Sequence, residues 1–186
     1  MNLSKLFAIW LMTCAFFATN TFGQAEAASI NNYNSRVNDD IAAGRLYVHR
    51  ITLNSSDAAG KVWGSFSKYQ ETANCYFEMQ ENGPVLKKVI VFSEIAGRQS
   101  YSDYLYDAQG NPTLCMFHRN VTSTTELPHR CHYMGRKLLF IAHGDVSRSE
   151  ADLTTEDQQE GLDLLEKASN YKKVFEALAK VQMPPR

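Results

Sequence analysis

The residues able to do chemistry are cysteines and histidines in the second half of the chain. Of four cysteines, Cys14 lies in the apolar N-terminus, leaving Cys75, Cys115 and Cys131. Cys115 and Cys131 flank a polar loop from Asn120 to Glu126. A hairpin symmetric about Ser123 sets Cys115 opposite Cys131 and Phe117 opposite His129. Directly opposed residues of a non-hydrogen-bonded pair have Cα atoms about 4.5 Å apart, within reach of a disulfide. A Cys115–Cys131 bridge is therefore expected. It would close a loop of about 15 residues and contribute about 3 kcal/mol by the chain-entropy argument. Cys75 is left over, as a small buried residue on a face with Phe77 and Met79.

Four of the five histidines gather late in the chain: His118, His129, His132 and His143. A metal site needs imidazoles that converge. His129 and His132 cannot converge on one strand, because positions three apart face opposite sides. His118 and His132 could share a face with Met116. The sequence assigns no metal and no cofactor, and these histidines read as solvent-facing or satisfied in the core. There is no Gly-x-Ser-x-Gly elbow to activate a serine. Glu71, Glu78, Glu94 and Asp103 could supply a carboxylate pair for glycoside chemistry, yet spacing singles out no pair. Asn54-Ser55-Ser56 and Asn120-Val121-Thr122 match glycosylation acceptors, relevant only in a eukaryotic host.

The elements that must position these residues follow from periodicity. Ile30, Tyr33, Val37 and Ile41 fall on one face of a short helix, capped at Ser29 and ended by Gly44. Leu46 to Leu53 alternates as a strand with Tyr47, His49, Ile51 and Leu53 on one side. Further strands are expected over Val62–Gln70, Asn74–Gln80, Leu86–Ile95, Ser100–Tyr106, Thr113–Arg119, Pro128–Tyr133 and Lys137–Ala142. Turn chemistry at Asn82-Gly83-Pro84, Ala96-Gly97-Arg98, Asp107–Pro112 and Met134-Gly135-Arg136 separates most of them. The apolar centre Val89-Ile90-Val91-Phe92 predicts a central strand covered on both faces. Without helical crossovers, these strands form an antiparallel meander.

The period then changes. Leu164, Ala168, Tyr171, Phe175 and Leu178 recur at helical spacing, with Leu165 and Val174 widening the stripe. Thr155 and Gln158 have capping-box spacing, and Ser169-Asn170 is a potential kink. The fold class expected is α+β: a meander of six to eight strands, a short N-terminal helix, and a C-terminal amphipathic helix packed on the sheet.

The first residues carry an address. Lys5 precedes an apolar run from Leu6 to Ala18, and small residues follow. Residues 1–27 are expected to be a signal peptide, cut after Gly23 or Ala27, with 28–186 as one domain. The run is shorter than the roughly 17–25 residues a membrane span needs. Leu11-Met12-Thr13-Cys14 resembles a lipoprotein box, but Met12 and Thr13 fit it poorly and the apolar run continues past Cys14. Apolar residues make up 44% and charged residues 21%, the balance of a globular chain. A net charge of −1 gives no electrostatic reason for nucleic-acid binding.

Leu86–Val91, Tyr104-Leu105-Tyr106-Asp107 with Gly110, Leu114–Phe117, Arg130–Tyr133 with Gly135, and Leu138–Phe140 resemble a loosely defined group of small exported bacterial proteins. In that group, aromatic-rich strands alternate with Asp/Asn-Gly turns ahead of a helix rich in Glu and Leu. The resemblance implies fold and an exported, periplasmic or secreted location, and carries no activity. Tyr106–Asn111 also resembles one tyrosine-aspartate repeat of large secreted shell proteins, but a single copy does not build that architecture. The function expected is a non-enzymatic envelope or secreted binding module. Its interaction surface would include Tyr101, Tyr104, Tyr106, His118 and His132, presented to a protein or small-molecule ligand. A narrower form is an inhibitor or immunity protein against an envelope hydrolase. The contrasting class is a small metal-dependent or hydrolytic enzyme.

Overall fold

The computed structural model describes residues 25–53, 69–95, 97–122 and 126–182. Helix α1 spans 25–42. Eight strands follow: β1 (Tyr47–Leu53), β2 (Tyr69–Gln80), β3 (Gly83–Ile95), β4 (Arg98–Tyr106), β5 (Pro112–His118), β6 (His129–Met134), β7 (Lys137–His143) and β8 (Val146–Ser149). After one 3₁₀ turn at Glu150–Asp152 comes α2 (Thr155–Gln182). The sheet order is β1 to β8 in sequence, every neighbouring pair antiparallel. This is the expected α+β meander. The strand expected over Val62–Gln70 lies outside the described residues apart from its last two, which open β2. β8 is too short and polar to announce itself by alternation.

Pleating divides the side chains between two faces. On one, a continuous cross-strand row runs His49, Cys75, Val89, Tyr104, Cys115, Cys131, Ile141 and Arg148. Helix α2 covers this face with Leu164, Leu165, Ala168 and Phe175, all buried. Each fully buried aliphatic or aromatic side chain contributes roughly 1.5–3 kcal/mol of transfer free energy. Two sheet hydroxyls fix the docking: Tyr106 donates to the Ala168 carbonyl at 2.8 Å and Tyr133 to the Gly161 carbonyl at 2.7 Å. Gly161 allows a close approach: a Cβ there would stand 2.7 Å from Leu138 Cδ2, and the Leu138 side chain would have to shift.

The cap of helix α2 is Thr154, one residue before the expected Thr155. Thr154 Oγ1 accepts from the Asp157 backbone N–H at 3.1 Å, and Asp157 Oδ2 accepts from the Thr154 N–H at 2.8 Å. Asp157 thus fills the reciprocal role given to Gln158. Ser169 does not break the helix; its hydroxyl turns back to the Leu165 carbonyl at 2.8 Å. Val174 is exposed rather than part of the apolar stripe.

Among the described residues, the opposite face is only half covered by a helix. Helix α1 lies over Leu105 and Leu114, packing Ile30 and Val37 against them, with Tyr33 and Ile41 beside. It starts before Ser29, so that residue lies inside the helix and caps nothing. The anchor beneath it is polar. Lys88, fully buried, donates to Asn34 Oδ1 at 2.7 Å and Asn38 Oδ1 at 2.6 Å and pairs with Asp103 at 2.8 Å. Burial raises the Asp103 carboxyl, against the lowering effect of Lys88. Phe92, at 51% exposed, departs from the expectation that β3 is covered on both faces.

Removing one member of a buried ion pair strands the other. Asp103→Ala is expected to lower stability by about 3–5 kcal/mol in urea denaturation. The double change Lys88→Met with Asp103→Leu is expected to recover most of that loss, because no buried charge remains.

Candidate functional site

Three places in the fold gather the chemistry-bearing residues: the thiol row under α2, the open half of the α1 side, and a cleft where β6, β7 and β8 meet the first turns of α2. The thiols come first because the expected hairpin register is observed. Cys115 lies directly opposite Cys131, and Phe117 opposite His129. No disulfide joins the pair: Cys75, Cys115 and Cys131 are all free and fully buried. Cys115 Sγ points to the Leu164 carbonyl at 3.9 Å. Burial pushes the thiol of Cys75 up to about 11 and that of Cys131 to about 12, and Cys115 well above the ordinary range. All three are therefore protonated and unreactive in the folded state.

The expected tyrosine and histidine surface divides. Tyr104 and Tyr106 are buried under α2, and His132 is buried under α1. These three are not available at the surface. Tyr104 and Tyr106 alternate to the helix-covered side because the meander places its longer helix there, a choice strand periodicity alone does not make. His132 Nε2 meets Asn31 Oδ1 at 3.0 Å. Burial, with Arg130 nearby, lowers its pKa to about 4, so it is neutral at physiological pH. Tyr101 and His118 are partly exposed. They continue the cross-strand row from Phe92. Phe92 and Tyr101 meet edge to face at 5.3 Å. Tyr101 donates to Asp103 Oδ2 at 3.2 Å, and His118 Nε2 contacts the Glu126 carbonyl at 2.7 Å. Met116, one row nearer α1, is half-buried on the same face. Among the described residues, no helix lies over this row.

The cleft is what the sequence did not predict. His129 and His143 are cross-strand partners on β6 and β7, their rings edge to face with centroids 4.3 Å apart. Glu160, in the second turn of α2, contacts His129 Nδ1 through Oε1, and its Oε2 lies 3.9 Å from His143 Nε2. Asp157, one turn earlier, is 3.3 Å from His143 Nε2. The cleft holds about 320 Å³ and is lined by His143, Val146, Arg148, Glu156, Asp157 and Glu160.

A β-bulge creates this juxtaposition. The register shifts between His132 and Tyr133, so Tyr133 faces Leu138 while His132 faces Phe140. Continued without the bulge, the hairpin would carry His129 opposite Ala142 and turn His143 to the other face. The extra residue on β7 brings the two imidazoles together.

Asp157 holds the cleft's polar side. Burial alone would raise its carboxyl, but the backbone and hydroxyl of Thr154 and the guanidinium of Arg148 outweigh that and hold it at about 2. Arg148 Nη1 reaches Asp157 Oδ1 at 2.8 Å and Oδ2 at 2.9 Å. The four carboxylates weighed for glycoside chemistry do not gather there: Glu71, Glu78, Glu94 and Asp103 lie on β2, β3 and β4.

No family model, curated protein or solved structure matches the chain.

A carboxyl held below its ordinary value binds fewer protons folded than unfolded, so its stabilisation is present above the ordinary value and is lost as pH falls towards the folded one. For Asp157 that window runs from 3.8 down to about 2. In chelator-treated protein, Asp157→Asn is expected to lower stability at neutral pH. The gap from the unsubstituted protein should narrow across that window, measured by urea denaturation at stepped pH.

Proposed function

We propose that this chain is an exported, non-enzymatic binding module. Its working surface is the open row Phe92, Tyr101 and His118, with Met116 beside it. The single observation that carries this reading is the exposed aromatic edge-to-face pair on a sheet half that no described helix covers. Rigid aromatic rings backed by a sheet supply large contact area at little conformational cost. Tyr101 is held by Asp103, itself tied to the buried Lys88, so the ring is presented in one orientation. The partner class proposed is a protein surface of the envelope or extracellular space, an inhibitor target included.

Export follows from Lys5, the apolar run to Ala18 and the small residues after it, and accords with the resemblance to small exported proteins. The fold favours the earlier of the two cuts. Ala27 lies within α1 and is buried, so cleavage after Ala27 would remove part of the helix, whereas cleavage after Gly23 spares it. Of the described residues, no helix is long and apolar enough to cross a membrane.

In an oxidising compartment the opposed pair Cys115 and Cys131 closes into a disulfide before α2 seals over it. The two thiols give up two protons and two electrons, and the disulfide of a thiol–disulfide oxidoreductase is reduced to its dithiol. Cys75 stays reduced. Once folded in the reduced form, the buried and protonated thiols resist oxidation.

Two measurements check this reading. A photo-crosslinking residue at Phe92 in the exporting cell is expected to give a discrete protein adduct, with none from Met134 on the far hairpin. Equal labelling from both positions, or none, would remove the support for this surface. Intact mass and non-reducing peptide mapping of the exported product are expected to give an N-terminus at Gln24 and a Cys115–Cys131 bridge. Cys75 in the bridge, or Met1 retained, would overturn the export and redox assignment.

A further inference from the structure

We propose that His129, His143 and Glu160 form a binding site for a divalent transition-metal ion of the zinc class, separate from the aromatic surface. One donor atom from each of the three residues lies within 4.8 Å of the other two. The donors come from three elements, β6, β7 and α2. A hydrogen bond tying α2 to the sheet would need only one imidazole. Here a second stands edge-on to the first and reaches the same carboxylate from the neighbouring strand. Each of the three side chains is close to 30% exposed, so an ion can enter without unfolding.

The donor set selects the ion. Two imidazole nitrogens and one carboxylate match open zinc sites, which keep a fourth position for water or an exogenous ligand. Calcium and magnesium prefer all-oxygen shells. Donors about 3.3 Å apart suit a tetrahedral ion with bonds of about 2.0–2.1 Å. The direct His129–Glu160 contact must open slightly to that spacing and the wider separations, up to 4.8 Å, must close, which rotation of these partly exposed side chains allows. Binding replaces the direct contact between His129 Nδ1 and Glu160 Oε1: the imidazole offers Nδ1 as a ligand with its proton carried on Nε2, and both contacting atoms turn to the ion.

The surroundings accommodate the added charge. Arg148 is the cation nearest the cleft, and Asp157 already neutralises it. Glu156 and Glu160 add further negative charge to the lining. Asp157, held by Thr154 and Arg148, meets the same Nε2 of His143 that faces Glu160, so that nitrogen gives up the Asp157 contact when it binds the ion.

The test is titration of the full chain, purified without an affinity tag and stripped with chelator, using zinc chloride in a calorimeter. One ion per chain is expected. His143→Ala and Glu160→Gln are each expected to weaken binding at least tenfold while keeping the far-ultraviolet circular dichroism of the parent. His49→Gln, on a distant strand, should bind as the parent does. Cobalt(II) gives an independent readout: the parent should show visible bands of a low-coordinate ion, and His143→Ala should lack them. Binding below one equivalent, zinc affinity unchanged in both cluster variants, or an equal loss in His49→Gln would overturn the proposal.

Discussion

Two tyrosine hydroxyls on the sheet donate to carbonyls in the first half of a long helix, and the rest of the structure depends on that seat. Tyr133 reaches Gly161 and Tyr106 reaches Ala168, about two helical turns apart and so on one face of α2. Both carbonyls belong to residues with little or no side chain, which lets the helix backbone approach the sheet closely. Buried phenols need an acceptor, and the small residues let the helix provide one. Depth and rotation of α2 are set together by these contacts and by Leu164, Leu165 and Phe175.

The chemistry follows from that seat. Glu160 precedes Gly161, so the bond that fixes Gly161 also delivers Glu160 to His129 and His143. Ala168 and Leu164 close over Cys115 and Cys131, which is why the thiols are inert once the helix has docked. Helix α1 on the other face is held differently, by a buried lysine shared among two asparagines and an aspartate. Such a network favours one placement of α1 over others that a purely apolar contact would tolerate, and among the described residues no other helix covers the rest of that face.

Much of this was legible in the sequence, for identifiable reasons. Strict alternation and Asp/Asn-Gly turns specify hairpins, so the meander and the opposition of Cys115 to Cys131 followed from symmetric loop closure. The apolar stripe from Leu164 to Phe175 specified a helix that must cover one face. Which face was not legible, because Tyr101 to Tyr106 places tyrosines on both sides of β4 and either could have been the solvent side. That ambiguity put Tyr104 and Tyr106 on the wrong side. The histidine cleft was hidden by the bulge at His132/Tyr133: one inserted residue shifts the register and no side chain in the turn announces it. The cap at Thr154 shows a smaller version of the same limit. Thr155 and Gln158 satisfied the pattern, but Thr154 with Asp157 satisfied it better, since Asp157 also answers Arg148 from β8.

Native-state amide hydrogen exchange along α2 tests the seat most directly. If the two tyrosine hydroxyls and the small residues fix α2 to the sheet, amides around Gly161 and Ala168 exchange only with global unfolding, together with those of β5 and β6. Tyr133→Phe should release the first turns of α2, including Glu160, into faster local exchange while β2 to β4 keep their protection. Fast exchange of α2 in the unsubstituted protein, or a Tyr133→Phe variant whose α2 protection is unchanged, would contradict the account.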